Sequence, residues 1–204
     1  MTLLRSLLIL LTFLALTPQA QADSSIGEAV KVEGSTAALR RDQLYALTKT
    51  DPIFLMDELR TGGASRLEVS FKDGTKLYMG DHSNLAIDEM VYNPGEKGKA
   101  VVEFGKGVFR MVTGQINKVK GSEFLMLTPL ATIGIRGTDF WGHHTDTKLT
   151  IALLDNGVLD ITTSDGNITL TKPLSAVVIE QGKPIGKVFT LTQEQLNAAK
   201  ATIE

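Results

Sequence analysis

Apolar and polar residues alternate between positions 65 and 80, and this pattern constrains the fold more than any other in the sequence. A period of two is typical of a β-strand with one solvated face. The apolar positions are Leu67, Val69, Phe71, Leu77 and Met79. We predict a hairpin closed by the loop Lys72-Asp73-Gly74, because this register pairs Val69 with Leu77 and Leu67 with Met79. A shorter loop would place apolar and charged side chains on one face.

Short runs of the same kind recur along the chain and are separated by Gly, Pro, Asn and Asp, the residues that form turns. They predict strands at 26–39 (a hairpin around Glu33-Gly34), 83–91, 100–104, 108–113, 123–128, 148–154, 158–162, 168–171 and 175–179. Asp155-Asn156-Gly157 is predicted to close a further hairpin. Residues 40–50 are predicted to be irregular. So many short strands predict an all-β fold, a sandwich or roll of antiparallel strands.

The run Ile53-Phe54-Leu55-Met56 has two interpretations. It could form an exposed patch for a partner. We favour a role in filling the core, because large exposed apolar patches are rare on soluble proteins.

Residues 1–22 have the pattern of a secretory signal peptide. A basic start is followed by an apolar run, Leu7 to Leu16, and by Ala20-Gln21-Ala22 before Asp23. The pattern predicts export to the periplasm with cleavage after Ala22. No stable membrane anchor is expected after cleavage, because no later segment is long and apolar enough to span a bilayer. An uncleaved anchor is the alternative interpretation.

The sequence has no cysteine, which excludes disulfides and a lipid attached to a Cys side chain. Its net charge of −2 provides no basic surface, so nucleic acid is not an expected partner. One β domain is predicted at 23–190. A short helix follows at 191–204, where Thr192 and Gln195 form a capping-box pattern. This helix is expected to pack on the sandwich through Leu196, Ala199 and Ile203.

Two blocks of the sequence resemble the FecR domain family. The first, residues 59–77, contains the Thr-Gly, Ser-Arg-Leu and Asp-Gly elements; the second, residues 128–140, contains Thr-Pro and Arg-Gly-Thr. Residues 154–160 lie where the family has a Gly-Val turn, and the resemblance covers roughly 26–179. The family-motif residues, which we expect to be structural, are Arg60, Gly62, Ser65, Arg66, Asp73, Gly74, Pro129, Gly134, Arg136, Gly137, Thr138, Asp139 and Phe140.

This resemblance implies a jelly-roll-like periplasmic domain. The best-known members of the family relay signals, using a cytoplasmic anti-sigma segment, one membrane helix and this domain, which contacts an outer-membrane TonB-dependent receptor. Here no cytoplasmic segment precedes the apolar run, so we expect a free-standing exported FecR-like domain. The family's late Gly-Gln element is replaced by Lys172-Pro173-Leu174-Ser175.

Arg136 and Asp139 lie among glycines in the second block. Gly134 and Gly137 predict a bend in the strand. We expect the Arg136 guanidinium to pair with Asp139 and fix this bend, with a binding surface as the alternative.

No catalytic residue, metal site or cofactor is predicted. His143 and His144 are adjacent, so their side chains point to opposite faces of a strand. Asp81-His82-Ser83 has the residue types of a catalytic triad, but consecutive residues cannot align as nucleophile, base and orienting acid. Trp141 is expected in the core, with stacking on a sugar as the alternative.

Three functions remain open. The preferred one is a non-catalytic interaction module of the periplasm that binds another envelope protein or a cell-wall glycan through a sheet face or edge. The second is a component of FecR-like signal relay from an outer-membrane receptor. The third is an enzyme acting on envelope carbohydrate, since the spacing of paired carboxylates is not visible in a sequence. The oligomeric state does not follow from the sequence.

Overall fold

The computed structural model describes residues 24–203, so the predicted signal peptide, residues 1–22, lies outside the described residues. Within this range the chain forms two β-sheets that share one long strand, β9 (Lys99–Val112). The first sheet consists, in spatial order, of β4 (Pro52–Ile53), β1 (Gly27–Glu33), β6 (Arg66–Phe71), β7 (Lys76–Met79), the second half of β9, β12 (Asp139–His144), β13 (Lys148–Leu153), β16 (Ser175–Glu180) and β17 (Phe189–Thr190).

The second sheet consists, in the same sense, of β3 (Gln43–Ala46), β2 (Thr36–Arg40), β5 (Glu58–Thr61), β8 (Asn84–Val91), the first half of β9, β10 (Glu123–Leu127), β11 (Thr132–Arg136), β14 (Val158–Thr163) and β15 (Gly166–Leu170). Strands pair antiparallel in both sheets, apart from the parallel pair of β9 and β10. The all-β prediction is therefore confirmed.

The inward faces of the two sheets form one apolar core. β9 passes from one sheet to the other at Gly107, whose φ is +98°. A Cβ there would lie 2.2 Å from Ser83 Oγ, so glycine permits this bend. The prediction of two separate strands at 100–104 and 108–113 is wrong, because the backbone pairing continues through the bend. Phe104 and Phe109 meet edge to face across it, with ring centroids 4.5 Å apart.

The hairpin of β6 and β7 has the predicted register. Val69 pairs with Leu77 and Leu67 pairs with Met79. Gly74 supplies the left-handed residue of the loop, with a φ of +82°. The alternation of apolar and polar residues therefore predicted the length of this loop correctly.

Two other predicted hairpins are wrong. β1 and β2 flank Glu33-Gly34 but lie in different sheets. Likewise, β13 and β14 flank residues 155–157 but pair with different neighbours. Both turns carry the chain across the sandwich, because a turn sequence specifies a reversal of direction and not the sheet in which the next strand pairs. Residues 40–50 were predicted to be irregular, yet they contain β3, which pairs with β2.

The described range contains a short 3₁₀ helix, Ile116–Lys118, and one α-helix, α1 (Gln193–Ala201), which begins at the predicted capping box of Thr192 and Gln195. It packs on the outer face of the first sheet, where a second apolar cluster contains Trp141, Ala199 and Ile203. Gly80 admits the end of the helical segment, since a Cβ there would lie 2.2 Å from the Thr202 carbonyl oxygen. The expectation that the helix packs on the sandwich is confirmed. No helix in residues 24–203 has the length and apolar character needed to cross a membrane.

Candidate functional site

Residues of the first motif block stabilise the turn where the chain passes from β1 in the first sheet to β2 in the second sheet. The Ser65 hydroxyl is buried, accepts the Ser35 N–H at 2.9 Å and donates to the Gly63 carbonyl at 3.1 Å. The Gly62 N–H donates to the Ser35 carbonyl at 2.8 Å. Gly34 sits so close that a Cβ would lie 2.4 Å from Ser65 Oγ. These contacts stabilise the change of sheet.

Charged residues of the first block make separate local contacts. The Arg66 guanidinium donates to the Ser65 carbonyl at 2.9 Å and to the Ala201 carbonyl at the end of α1 at 3.4 Å. Arg60 is exposed and pairs with Glu58 at 2.8 Å on its own strand. Arg66 therefore connects β6 to the C-terminal helix.

Asp73 organises the loop of the β6–β7 hairpin. Its buried carboxylate accepts the Thr75 N–H at 3.0 Å and the Thr75 hydroxyl at 2.8 Å. It also accepts the Ile116 N–H at 3.3 Å. Asp73 thus joins the loop to the segment that follows β9.

The second motif block contains a turn and a change of sheet. Pro129 lies in the turn between β10 and β11, where the Thr128 hydroxyl donates to the Ala131 carbonyl at 2.8 Å. Gly137, with a φ of +55°, lies between β11 and β12. Thr138 is buried beside it, and its N–H donates to Thr113 Oγ1 at 2.8 Å. Phe140 then enters the core, with its ring centroid 5.4 Å from that of Phe109.

The expected pairing of Arg136 with Asp139 is wrong. Arg136 pairs with Asp160 on the outer face of the second sheet, whereas Asp139 pairs with Arg110 at 2.7 Å in the first sheet. The change of sheet at Gly137 separates the two side chains. The bend expected at Gly134 is also absent, because this residue continues the ladder of β11 with β10 and β14.

The histidines are the evident candidates for metal ligands in this sequence. All three line one groove of about 470 Å³, yet no group of three or more His, Asp or Glu residues within 24–203 is placed to hold an ion. His144 Nδ1 lies 2.5 Å from the Gly105 carbonyl oxygen. A carbonyl can only accept, so Nδ1 carries the proton. Burial lowers the pKa of His144, which favours the neutral ring.

Two further candidates for chemistry serve the fold. Ser83 Oγ accepts the Val108 N–H at 2.8 Å and donates to the Val108 carbonyl at 3.0 Å, so it joins β8 to the bend of β9. The Trp141 ring is buried, and its Nε1–H donates to Thr202 Oγ1 at 3.1 Å beneath α1. Ser83 is buried, and Trp141 is only 8% exposed where it borders a groove of about 400 Å³ beside α1.

Exposed apolar side chains gather near β3 at one end of the second sheet. Leu44 is 63% exposed and Met56 69% exposed. We define the apolar edge surface as Leu44, Tyr45, Leu55 and Met56. Tyr45, Leu55 and Met56 lie around Arg40, whereas Leu44 lies on the opposite face of β3. The prediction that residues 53–56 fill the core therefore holds for Ile53, which is fully buried, and is wrong for Leu55 and Met56.

Arg40 links β3 to the turn at residues 54–57 beneath this surface. Its guanidinium makes two bonds to the buried carboxylate of Asp57, at 2.6 and 2.8 Å. The same group lies 4.1 Å from the ring centroid of Phe54 and 5.1 Å from that of Tyr45. Asp57 also accepts the Phe54 N–H at 2.9 Å, which fixes the turn that presents Met56.

Met56 is held in a strained backbone conformation. Its φ is +65°, a region that favours glycine and asparagine. Its N–H donates to the Ile87 carbonyl at 2.9 Å. An exposed methionine in such a conformation contributes little to the core, and strain of this kind is concentrated at functional sites.

A groove of about 380 Å³ opens beside the apolar edge surface. Its lining residues are Ser24, Ile26, Arg40, Arg41, Leu55, Met56 and Met90. The two charged side chains in this lining are both cationic. Sequence reasoning missed Leu44 and Tyr45, although their position between charged and polar residues at 40–50 marks a short strand with little to bury.

Comparison with known proteins identifies related sequences and structures. The sequence model of the family described as FecR protein matches residues 57–159, just over half of the chain. Two solved chains, each described as a "putative anti-sigma factor" from Parabacteroides distasonis, superpose with TM-scores of 0.55 and 0.52 at 14% identity. The alignments cover 71% and 69% of this chain and 63% and 62% of theirs, so this chain spans less than two thirds of their length. No curated protein matches the sequence.

Proposed function

The chain belongs to the FecR family, and from this membership we propose that it is a non-catalytic interaction module of the periplasm that binds another envelope protein. The observation that carries the proposal is the apolar edge surface. Tyr45, Leu55 and Met56 are 44%, 43% and 69% exposed around Arg40, and clustered apolar side chains on a surface are typical of contacts with other proteins. The signal-peptide pattern of residues 1–22 supports export to the periplasm.

The chemistry of this surface favours a protein partner over a cell-wall glycan. Apolar side chains surrounded by charged residues are typical of the centre of a protein interface. A sugar would need an accessible aromatic ring together with converging polar groups. The exposed ring of this surface, Tyr45, already faces the Arg40 guanidinium at 5.1 Å, and Trp141, the single tryptophan of the sequence, is buried beneath α1.

Participation in signal relay is a second candidate function. The solved chains that share the fold are described as putative anti-sigma factors, and the best-known FecR proteins transmit signals. In this role the module would bind an outer-membrane receptor or a membrane regulator, and the partner would carry the message inward. The proposed partner class is the same as in the first candidate, so one experiment tests both.

The test is site-specific photo-crosslinking in living cells. A photoreactive amino acid replaces Met56, and a control replaces Thr169, which is exposed on β15 at the opposite end of the second sheet. We expect position 56 to crosslink to one envelope protein that mass spectrometry identifies, and position 169 not to do so. An outer-membrane receptor or inner-membrane regulator among the products supports relay.

Two results would contradict the proposal. One is the absence of any crosslinked protein from position 56 in cells that produce the folded chain. The other is recovery of the protein in the cytoplasmic fraction after osmotic shock, because the proposed partner lies in the envelope.

A further inference from the structure

β3 is an edge strand with exposed apolar side chains. It pairs with β2 on one side, and no strand of residues 24–203 pairs with its other side. All four of its residues are exposed. Edge strands of soluble proteins are usually protected by charges, prolines or bulges, because they offer unpaired main-chain groups to other chains. β3 has none of these protections within Gln43–Ala46.

The hairpin geometry determines which main-chain groups point outward. Arg41 and Asp42 have φ values of +48° and +62°, which are typical of a two-residue type I′ turn. The flanking pair, Arg40 and Gln43, therefore exchanges hydrogen bonds, and bonded pairs alternate with non-bonded pairs along the ladder. The Leu47 N–H bond to the Thr36 carbonyl, 3.0 Å long, fits this alternation.

The main-chain groups of Leu44 and Ala46 consequently face away from β2. Only another extended chain can pair with two N–H and two C=O groups at this spacing. The side chains of β3 alternate as well: Leu44 lies on the outer face of the second sheet beside Leu39, and Tyr45 lies on the opposite face beside Arg40. An added strand would therefore find an apolar contact on each face.

We infer that β3 accepts an extended segment of a partner protein as an additional strand of the second sheet. One apolar side chain of that segment packs against Leu44 on the outer face of β3, and another packs against Tyr45 on the opposite face. This inference rests on the proposed function and specifies how the partner is held.

The size of the edge favours a linear segment over a second folded copy of this chain. Four residues extend over about 13 Å. Pairing between two folded domains along such a short edge falls short of the roughly 1,200 Å² that stable complexes bury. An extended segment is not held off by a fold of its own, so it can follow the whole strand and pack against Leu44 and Tyr45 on its two faces.

The experiment uses peptides selected from a displayed library of random linear sequences against the purified, processed chain. Affinities of a selected peptide are compared for wild type, Ala46→Pro and Ala46→Ser. Proline removes the outward N–H of residue 46 and leaves the bonds between β2 and β3 in place. Serine retains this N–H, so it is the matched control. Far-ultraviolet circular dichroism and urea unfolding verify that both variants are folded.

We expect Ala46→Pro to weaken peptide binding about fivefold or more and Ala46→Ser to leave it unchanged. Independently of any variant, the amide protons of Leu44 and Ala46 should exchange more slowly with solvent in the wild-type complex. Equal affinity for both variants would overturn strand addition, as would amide protection confined to β15. If strand addition is disproved but position 56 still crosslinks to an envelope protein, the proposed function remains supported.

Discussion

Arg110 and Asp139 form a two-bond ion pair across the neighbouring strands β9 and β12, with N–O distances of 2.9 and 2.7 Å. The Arg110 guanidinium also lies 5.4 Å from the ring centroid of Tyr78 on β7. Three neighbouring strands of the first sheet are thereby linked on their outer face. The family-motif aspartate thus acts in the sheet that the chain enters after Gly137, with a partner outside both motif blocks.

Asp139→Ala should destabilise the protein more than Arg136→Ala. Both side chains of the Arg110–Asp139 pair are largely buried, at 23% and 18% exposed. Removing one partner of a charged, partly buried pair costs about 1–3 kcal/mol. The Arg136 side chain is 67% exposed and pairs with Asp160 in solvent, a contact of about 0–1 kcal/mol. Urea unfolding measures both changes, and equal losses would contradict this ranking.

Gly157→Ala should be strongly destabilising because two changes of sheet touch at this point. A Cβ on Gly157 would lie 2.4 Å from the Gly137 carbonyl oxygen and 2.5 Å from Thr138 Cβ. Backbone atoms cannot move aside as a flexible side chain can, so we expect a loss of about 2–4 kcal/mol in unfolding free energy.

Gly166→Ala is the matched control for that substitution. Gly166 has the same φ of +142°, but no atom lies within 4 Å of its Cβ position. The difference between the two variants therefore isolates the close approach from the backbone strain. If both variants lost a similar amount of unfolding free energy, glycine would be needed at position 157 because of its backbone conformation and not because of the contact with residues 137–138.

Features that depend on nearby residues could be predicted from the sequence. The alternation of apolar and polar residues predicts the register of β6 and β7, and the capping-box pattern predicts the start of α1. The partners of a strand depend on the whole fold instead. The turns at Gly34 and Gly157 have the composition of hairpin turns, yet Ser65 and Thr138, distant in sequence, pack against them where the chain changes sheet. A single sequence does not contain this information in a local pattern.

The candidate site was less predictable than the fold for a related reason. Residues 53–56 form one apolar run, but Asp57 turns the backbone so that Ile53 points inward and Met56 outward. The partner of Asp57 is Arg40, which lies in a different strand. Periodicity therefore identifies the apolar residues without showing which of them remain exposed.

Acid should destabilise the protein through His144. Burial lowers the pKa of this side chain, an effect partly opposed by the bond to the Gly105 carbonyl. The unfolded chain therefore binds a proton more readily than the folded chain, and stability rises with pH through this range. The neutral His144 ring makes its full contribution to the free energy of unfolding above pH of about 6.5, the pKa of histidine in an unfolded chain. This contribution is lost as the pH falls towards the lower pKa of His144 in the folded protein.

His144→Asn tests this pH dependence. The asparagine Nδ2 can replace Nδ1 as donor to the Gly105 carbonyl, but it does not titrate. We expect unfolding free energy, measured between pH of about 5 and 7, to depend less steeply on pH in the variant. Ionisable groups that do not interact with His144 contribute equally in both proteins and cancel in the comparison. Parallel pH profiles would contradict the assignment to His144.

Met56→Asn should raise stability and reduce partner binding at the same time. Asparagine tolerates the φ of +65° better than methionine, and the side chain is 69% exposed, so little core packing is lost. The left-handed conformation costs an ordinary residue about 1–2 kcal/mol, and asparagine relieves part of this cost. Leu55→Asn is the control, because Leu55 is also exposed but has no positive φ; it should reduce binding without a gain in stability. Urea unfolding and crosslinking from a photoreactive residue at position 44 measure the two effects. A Met56→Asn variant that is more stable and still crosslinks as well as wild type would show that the strain does not serve binding.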